Sequence, residues 1–128
     1  MNKRSPARSF TDLEAWREGH KLVLSLYKAT KGFPKEEIFA LTSQIRRAAV
    51  SVTSNLAEGF NRKTAKDKMH FYSMALGSVA ELQNQILIAR DVGYIDKRTF
   101  YPLSEQSILV HKLVSGLIRS IERKNGIE

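Results

Sequence analysis

Leu41-Thr42-Ser43-Gln44-Ile45-Arg46-Arg47-Ala48-Ala49-Val50-Ser51-Val52-Thr53-Ser54-Asn55-Leu56-Ala57-Glu58-Gly59 reads as one long helix with two different faces. Ile38, Leu41, Ile45, Ala49, Val52 and Leu56 recur at steps of three and four, the spacing that lines one side of an α-helix with apolar groups. A second strip, about 100° per residue around the same helix, holds Gln44, Arg47, Ala48, Ser51, Asn55, Glu58 and Arg62. Its centre is small and its ends are charged. Serine and asparagine are poorer helix formers than the lysine or glutamate of an ordinary wet face, on the order of 0.5 kcal/mol each. Some contact is therefore expected to repay Ser51 and Asn55. The spacing predicts this helix from about Lys35 to about Phe60, with Gly59 as its stop.

Outward from this segment, three more helices follow from the same periodicity, and no stretch alternates like a half-buried strand. Upstream, Thr11 with Glu14 reads as a capping box, Asp12 suits the positive helix end, and Phe10 is placed to staple onto the first turn. Leu13, Trp16, His20, Val23, Leu24 and Tyr27 then form the predicted inner face, and Gly32 the stop. Downstream, Thr64 with Asp67 opens a third helix with Phe71, Ala75, Val79, Leu82, Ile86 and Ala89 inside and Gly93 at its end. Asp96 or Thr99 opens the fourth, with Leu103, Val110, Leu113, Val114, Leu117 and Ile121 inside. Pro102 is tolerated only in a first turn, which places that helix start close to it. Helices of roughly 30–40 Å joined by a few residues must fold back on one another. The expected fold is all-α, an antiparallel up-down-up-down four-helix bundle over residues 10–124. A basic, flexible N-terminal tail (1–9) and a frayed C-terminus (125–128) flank it.

The third helix has a small-residue patch, Ala75, Gly77, Ser78 and Ala80, that answers the strip on the second. A helical glycine costs about 1 kcal/mol relative to alanine, so Gly77 suggests close packing. Gln44, Arg47, Ser51, Asn55, Glu58, Gly77, Ser78 and Glu81 thus form either a structural network inside the bundle or a self-association face; symmetric, self-complementary contacts are the common form of the latter.

Composition narrows the chemistry. The 128 residues suffice for one domain. No cysteine is present, which removes disulfides, thiolate metal sites and thiol catalysis. The longest apolar run, Ile86-Leu87-Ile88-Ala89, is far short of the roughly 20 residues of a membrane span, and the basic N-terminus has no hydrophobic stretch behind it. These features fit a cytoplasmic protein. His20, His70 and His111 stand apart; Asp67-x-x-His70 alone has ligand-like spacing, and His20 reads as a hydrogen-bonded core residue. Arg17-x-x-His20 lacks the spacing of helical Arg/His nucleases. Glu58 and Glu81, read as semi-buried, fit arginine anchors better than an acid-base pair. No catalytic residue, metal site or cofactor is expected.

The formal net charge is +8. Residues 1–35 contain eight Lys/Arg against three Asp/Glu, and residues 96–128 six against four. Such a surface attracts polyanions, or is simply well solvated.

Three motifs carry a resemblance. Phe10-Thr-Asp-Leu13-Glu-Ala-Trp16, the run Leu41 to Arg62, and Ala75-Leu-Gly77-Ser78-Val-Ala-Glu81-Leu82 with its Ala89…Gly93-Tyr94-Ile95 ending resemble the proteins encoded in 23S ribosomal RNA intervening sequences. The match runs over about residues 10–120. It departs at Ala40, where the family usually has glycine. The resemblance implies a left-handed four-helix bundle that assembles as a homopentamer. The chain is also similar to the accessory variability-determinant protein of diversity-generating retroelements, a basic pentameric barrel that binds nucleic acid and a reverse transcriptase.

These readings combine into an expected non-catalytic homo-oligomer that binds nucleic acid, RNA such as ribosomal RNA foremost. Its phosphate contacts would come from Lys3, Arg4, Arg8, Arg17, Lys21, Lys28, Arg62, Lys63 and Lys66. The alternative is a protein-interaction scaffold, or an accessory subunit for a nucleic-acid-processing partner.

Overall fold

The computed structural model describes residues 6–126, so Lys3 and Arg4 lie outside the described residues. Four α-helices, α1 (Glu14–Thr30), α2 (Leu41–Asn61), α3 (Ala65–Asp91) and α4 (Lys97–Lys124), are joined by short links, with 3-10 turns at Phe10–Asp12 and Lys35–Glu37. No strand occurs among the described residues. α1 packs on α2 and α4, and α3 packs on α2 and α4, so the helices stand at four corners with no diagonal contact. Partners along each seam run in opposite sequence order: Thr30 meets Arg46 while Gly19 faces Thr53, and Ser51 meets Ser78 while Gly59 faces Tyr72.

Local chemistry explains the helix ends. α1 does not begin with the Thr11/Glu14 box. Ser9 caps the preceding 3-10 turn instead, accepting from the Thr11 amide while Asp12 accepts from the Ser9 and Arg8 amides. A Ser-x-x-Asp box therefore forms two residues upstream of the expected one, and it draws residue 9 out of the tail. Phe10 does pack edge-on against Trp16, with ring centroids 5.4 Å apart. α2 starts at Leu41, not Lys35; Glu37 turns back and its carboxylate accepts from the Leu41 amide at 3.2 Å. Thr64 and Asp96 cap α3 and α4 as expected. α4 starts five residues before Pro102, so the proline lies in the second turn, where its missing N–H leaves the Arg98 carbonyl without a helical donor. Gly93, at φ 87°, ends α3 in a conformation that favours glycine.

The core is continuous through all four helices: Leu22 and Leu26, Ile45, Val52 and Leu56, Val79, Leu82 and Ile86, Val110 and Val114 are fully buried. Each such aliphatic side chain contributes roughly 1.5–3 kcal/mol of transfer free energy. The expected inner stripe of α1 is rotated. Ala15, Gly19, Leu22, Leu26 and Thr30 face inward, Trp16 and Val23 flank them, and Leu24, Tyr27 and His20 are exposed. Gly19 decides this: a Cβ there would sit 3.2 Å from the Thr53 methyl, so α1 approaches α2 along its small residues. His20 stacks on Trp16 at 4.7 Å on the surface and is not a core residue. Likewise α3 buries Tyr72, and Phe71 is only half-buried.

Candidate nucleic-acid interface and the polar strip between α2 and α3

Along the second face of α2, Ser51 Oγ lies 2.7 Å from Ser78 Oγ of α3, and Asn55 Nδ2 donates to the Ser51 carbonyl and hydroxyl at 2.9 and 3.1 Å. Small side chains here let two helices meet through hydroxyls. Gln85, itself buried, donates to the Glu81 carboxylate at 3.2 Å, and its Oε1 has no protein partner. Gln44, Arg47, Ser51 and Glu81 line a recess of about 250 Å³ above this row.

The remaining members depart from expectation. Glu58 and Glu81 are exposed, and Glu58 pairs with Arg62 at 3.0 Å in an ordinary one-turn ion pair. Gly77 is exposed, and a Cβ on it would meet nothing within 4 Å, so it makes no close contact within the chain. The close approach falls at Gly59 instead. A Cβ there would lie 2.6 Å from Tyr72 Cε1 and 3.2 Å from Phe71 Cβ. Gly59 is therefore a buried helix residue under the Tyr72 ring, and α2 continues past it to Asn61.

Seven of the nine cations read from the sequence fall among the described residues, and they separate into two groups. Arg8, Arg17, Arg62, Lys63 and Lys66 gather where α1 begins and α2 turns into α3. Arg17 is held there by the carbonyls of Thr11 and Asp12 at 3.1 and 2.8 Å, and Arg62 lies over the Phe71 ring at 4.5 Å. Lys21, paired with Glu18 at 3.1 Å, and Lys28 lie instead along the groove between α1 and α4. Because α4 returns antiparallel to α3, as Gln83–Ser107 and Arg90–Phe100 contacts require, its last turns carry Arg119, Arg123 and Lys124 to the end that holds Lys63 and Lys66. Sequence reading missed these three, although Arg123 and Lys124, in the last helical turn, are themselves a signal.

Two further cations do structural work. Lys68 donates to the carbonyls of Phe60 and Gly59 at 2.7 and 3.3 Å, closing the C-terminus of α2, and partial burial lowers its pKa. Arg46 donates to Thr30 Oγ1 at 2.9 Å and lies over Tyr27 at 4.7 Å, tying α1 to α2. Across the fold, Gln106 of α4 donates to the Glu18 carbonyl and carboxylate at 2.9 and 3.0 Å. That bond, ahead of Lys21, lowers the Glu18 pKa.

Among the described residues no group of three or more His, Asp or Glu side chains is placed to hold a metal ion, and no helix is long and apolar enough to cross a membrane. The arrangement is that of a four-helix protein with a basic end and a polar inter-helix strip. The chain belongs to the 23S rRNA-intervening sequence protein family, whose profile matches residues 11–116. Among solved structures it is similar to a protein of unknown function from the S23 ribosomal protein family of Bacteroides thetaiotaomicron. The two share 18% identity at a TM-score of 0.76, over 82% of this chain and 95% of the other. No curated protein matches.

Proposed function

We infer that the chain is a non-catalytic, cytoplasmic, antiparallel up-down-up-down four-helix bundle that self-associates and binds nucleic acid, ribosomal RNA foremost, through its basic end. The observation that carries this reading is the meeting of Arg8, Lys63, Lys66, Arg119, Arg123 and Lys124, from three separate parts of the chain, at one end of the helices. Lysines and arginines so placed contact phosphates without reading bases, and binding through them releases counterions. The family's name, with its reference to 23S rRNA, favours RNA over DNA. Self-association is supported by Phe39, which is 95% exposed, with Ile38 beside it at 51%; such apolar groups mark contact surfaces. We take that assembly to be a pentamer, as the resemblance in sequence implies. Repetition of the basic end around it multiplies weak sites. The Ser51–Ser78–Asn55 row belongs to the structural network that aligns α2 with α3.

Anisotropy titrations with labelled RNA and DNA at low and moderate salt test the reading. Affinity should fall steeply with salt, by a slope of about 0.9 per phosphate neutralised, and neutral replacements at Lys63, Lys66, Arg123 and Lys124 should flatten it. Absence of binding even at low salt sinks it.

A further inference from the structure

Three aromatic rings stand in a row where α1 begins. Phe10 meets Trp16 edge-on with centroids 5.4 Å apart, and His20 lies almost parallel to Trp16, at 4.7 Å and 13° between the planes. Trp16 and His20 are one turn apart on the same side of the helix. Phe10 and Trp16 are half-buried, whereas His20 is exposed. The indole covers one face of the imidazole, so the exposure of His20 is that of its other face and its edges. Among the described residues no hydrogen bond or ion pair holds this side chain; the ring is oriented by the stack.

Cations surround the row. Arg17, three residues before His20 and on its side of α1, is fixed through Nε and Nη2 to the carbonyls of Thr11 and Asp12, and Nη1 takes no part in these bonds. Gly19 faces Thr53, which puts His20 about 12 Å along the axis from the end of α2 at Asn61, where Arg62 and Lys63 follow. A few nucleotides span that distance. The nearby carboxylates are engaged elsewhere. Asp12 accepts from the Arg8 and Ser9 amides, and Glu18 accepts from Gln106 and Lys21. Glu14, two residues before Trp16, lies on the far side of α1.

Charge and ring make opposite demands on a nucleic acid. Charge alone favours a duplex, which carries more phosphates per unit length and releases more counterion for each one neutralised. An aromatic face favours an unpaired strand, because the bases of a duplex are stacked on one another and only a splayed base offers its plane. A fixed arginine beside an open ring joins a phosphate contact to a base contact that a duplex cannot use.

We propose that the basic end takes unpaired RNA, with one base stacked on the open face of His20, Trp16 backing the ring and Arg17 holding the adjoining phosphate. The proposal rests on the nucleic-acid reading above and names the form of RNA that this end accepts.

Trp16 is the only tryptophan of the chain and reports on the contact directly. Unlabelled RNA of about 12 nucleotides should quench its fluorescence as a single strand, and much less once annealed to its complement. In anisotropy titrations the strand should bind at least about threefold more tightly than the duplex. His20→Ala should weaken binding of the strand by about five- to tenfold with little change in salt slope, and binding of the duplex by no more than about twofold. His20→Tyr, which keeps a stacking face, should restore the strand. Because His20 is exposed, thermal melts of both variants should match those of the unsubstituted protein. A duplex bound as tightly as the strand would overturn the proposal, and so would His20→Ala without effect on the strand. In either case the basic end still binds and the wider reading stands. No binding of strand or duplex at low salt would remove both.

Discussion

The seam between α2 and α3 and the seam between α1 and α4 lie on opposite sides of the same four helices and are built on opposite terms. Along the first, Gly59 lets the Tyr72 ring lie on the α2 backbone, and Ala48, Ala49 and Ala75 are almost fully buried. Ser51 and Ser78 meet there hydroxyl to hydroxyl. Along the second, Leu24, Pro102 and Leu103 line an open groove, and Gln106 donates to Glu18 from α4 to α1. Close packing of small residues commits a seam to one partner, whereas an open one retains surface for another.

The difference is most sharply broken at glycine. Gly59→Ala gains about 1 kcal/mol of helix propensity but drives a methyl into the Tyr72 ring at 2.6 Å. Overpacking of this kind costs ~1–3 kcal/mol and at times more. The variant should lose about 1–2 kcal/mol net in urea unfolding, the upper part of that cost less the propensity gain, and a gain would show that the seam is loose. Truncating Tyr72 should cost less in that chain than in the unsubstituted protein, because it also relieves the clash.

The serine pair tests the seam through its polar groups. Ser51→Ala or Ser78→Ala alone strands a partner and should cost about 1 kcal/mol. The double variant should cost less than the two singles together, because neither hydroxyl is then left unmatched. Additive losses in that cycle would show that the 2.7 Å contact contributes nothing.

At positions facing outward the same class of change should do little or help. Gly77→Ala meets no atom within 4 Å, so propensity alone acts and stability should rise by about 0.5–1 kcal/mol. Leu24→Ala should change the stability of the isolated chain by no more than about 0.5 kcal/mol. A concentration-dependent loss at Leu24 would instead report a copy seated in the groove.

How much of this was legible in the sequence follows the same division. The stripe from Leu41 to Leu56 and the caps at Thr64 and Asp96 follow from local rules of spacing and hydrogen bonding, and the structure keeps them, but Ile38, expected to open that stripe, lies outside α2 and is exposed. The face of α1 was misread because its inward residues are Ala15 and Gly19, which periodicity of large apolar groups overlooks; only the neighbouring helix makes them the close side. For the same reason Gly59 read as a stop and Gly77 as a contact, whereas Gly59 is the close contact and Gly77 faces outward within α3. Sequence supplied the cations but not their grouping. Arg119, Arg123 and Lys124 join Lys63 and Lys66 only through the antiparallel return of α4.

The smallest expected effect lies at the end of the fold that carries Phe39, in one hydrogen bond that titrates from both sides. Tyr94 donates to Glu37 at 2.6 Å. That bond, ahead of the Leu41 amide, lowers the Glu37 pKa, and the same bond raises that of Tyr94. A carboxylate with a lowered folded pKa contributes stability above its unfolded value and loses it as pH falls through the folded one. A phenol with a raised folded pKa contributes below its unfolded value and loses it as pH rises through the folded one. Stability should therefore drop at both limits, in acid at about pH 3 to 5 and in base at about pH 9 to 11. Tyr94→Phe should flatten both shoulders in thermal melts, whereas Glu37→Gln should flatten the acid shoulder and lower the onset of the basic one. If the acid shoulder persists unchanged in Tyr94→Phe, the Leu41 amide alone holds Glu37, and the link that presents Phe39 is anchored to α2 without help from the α3–α4 turn.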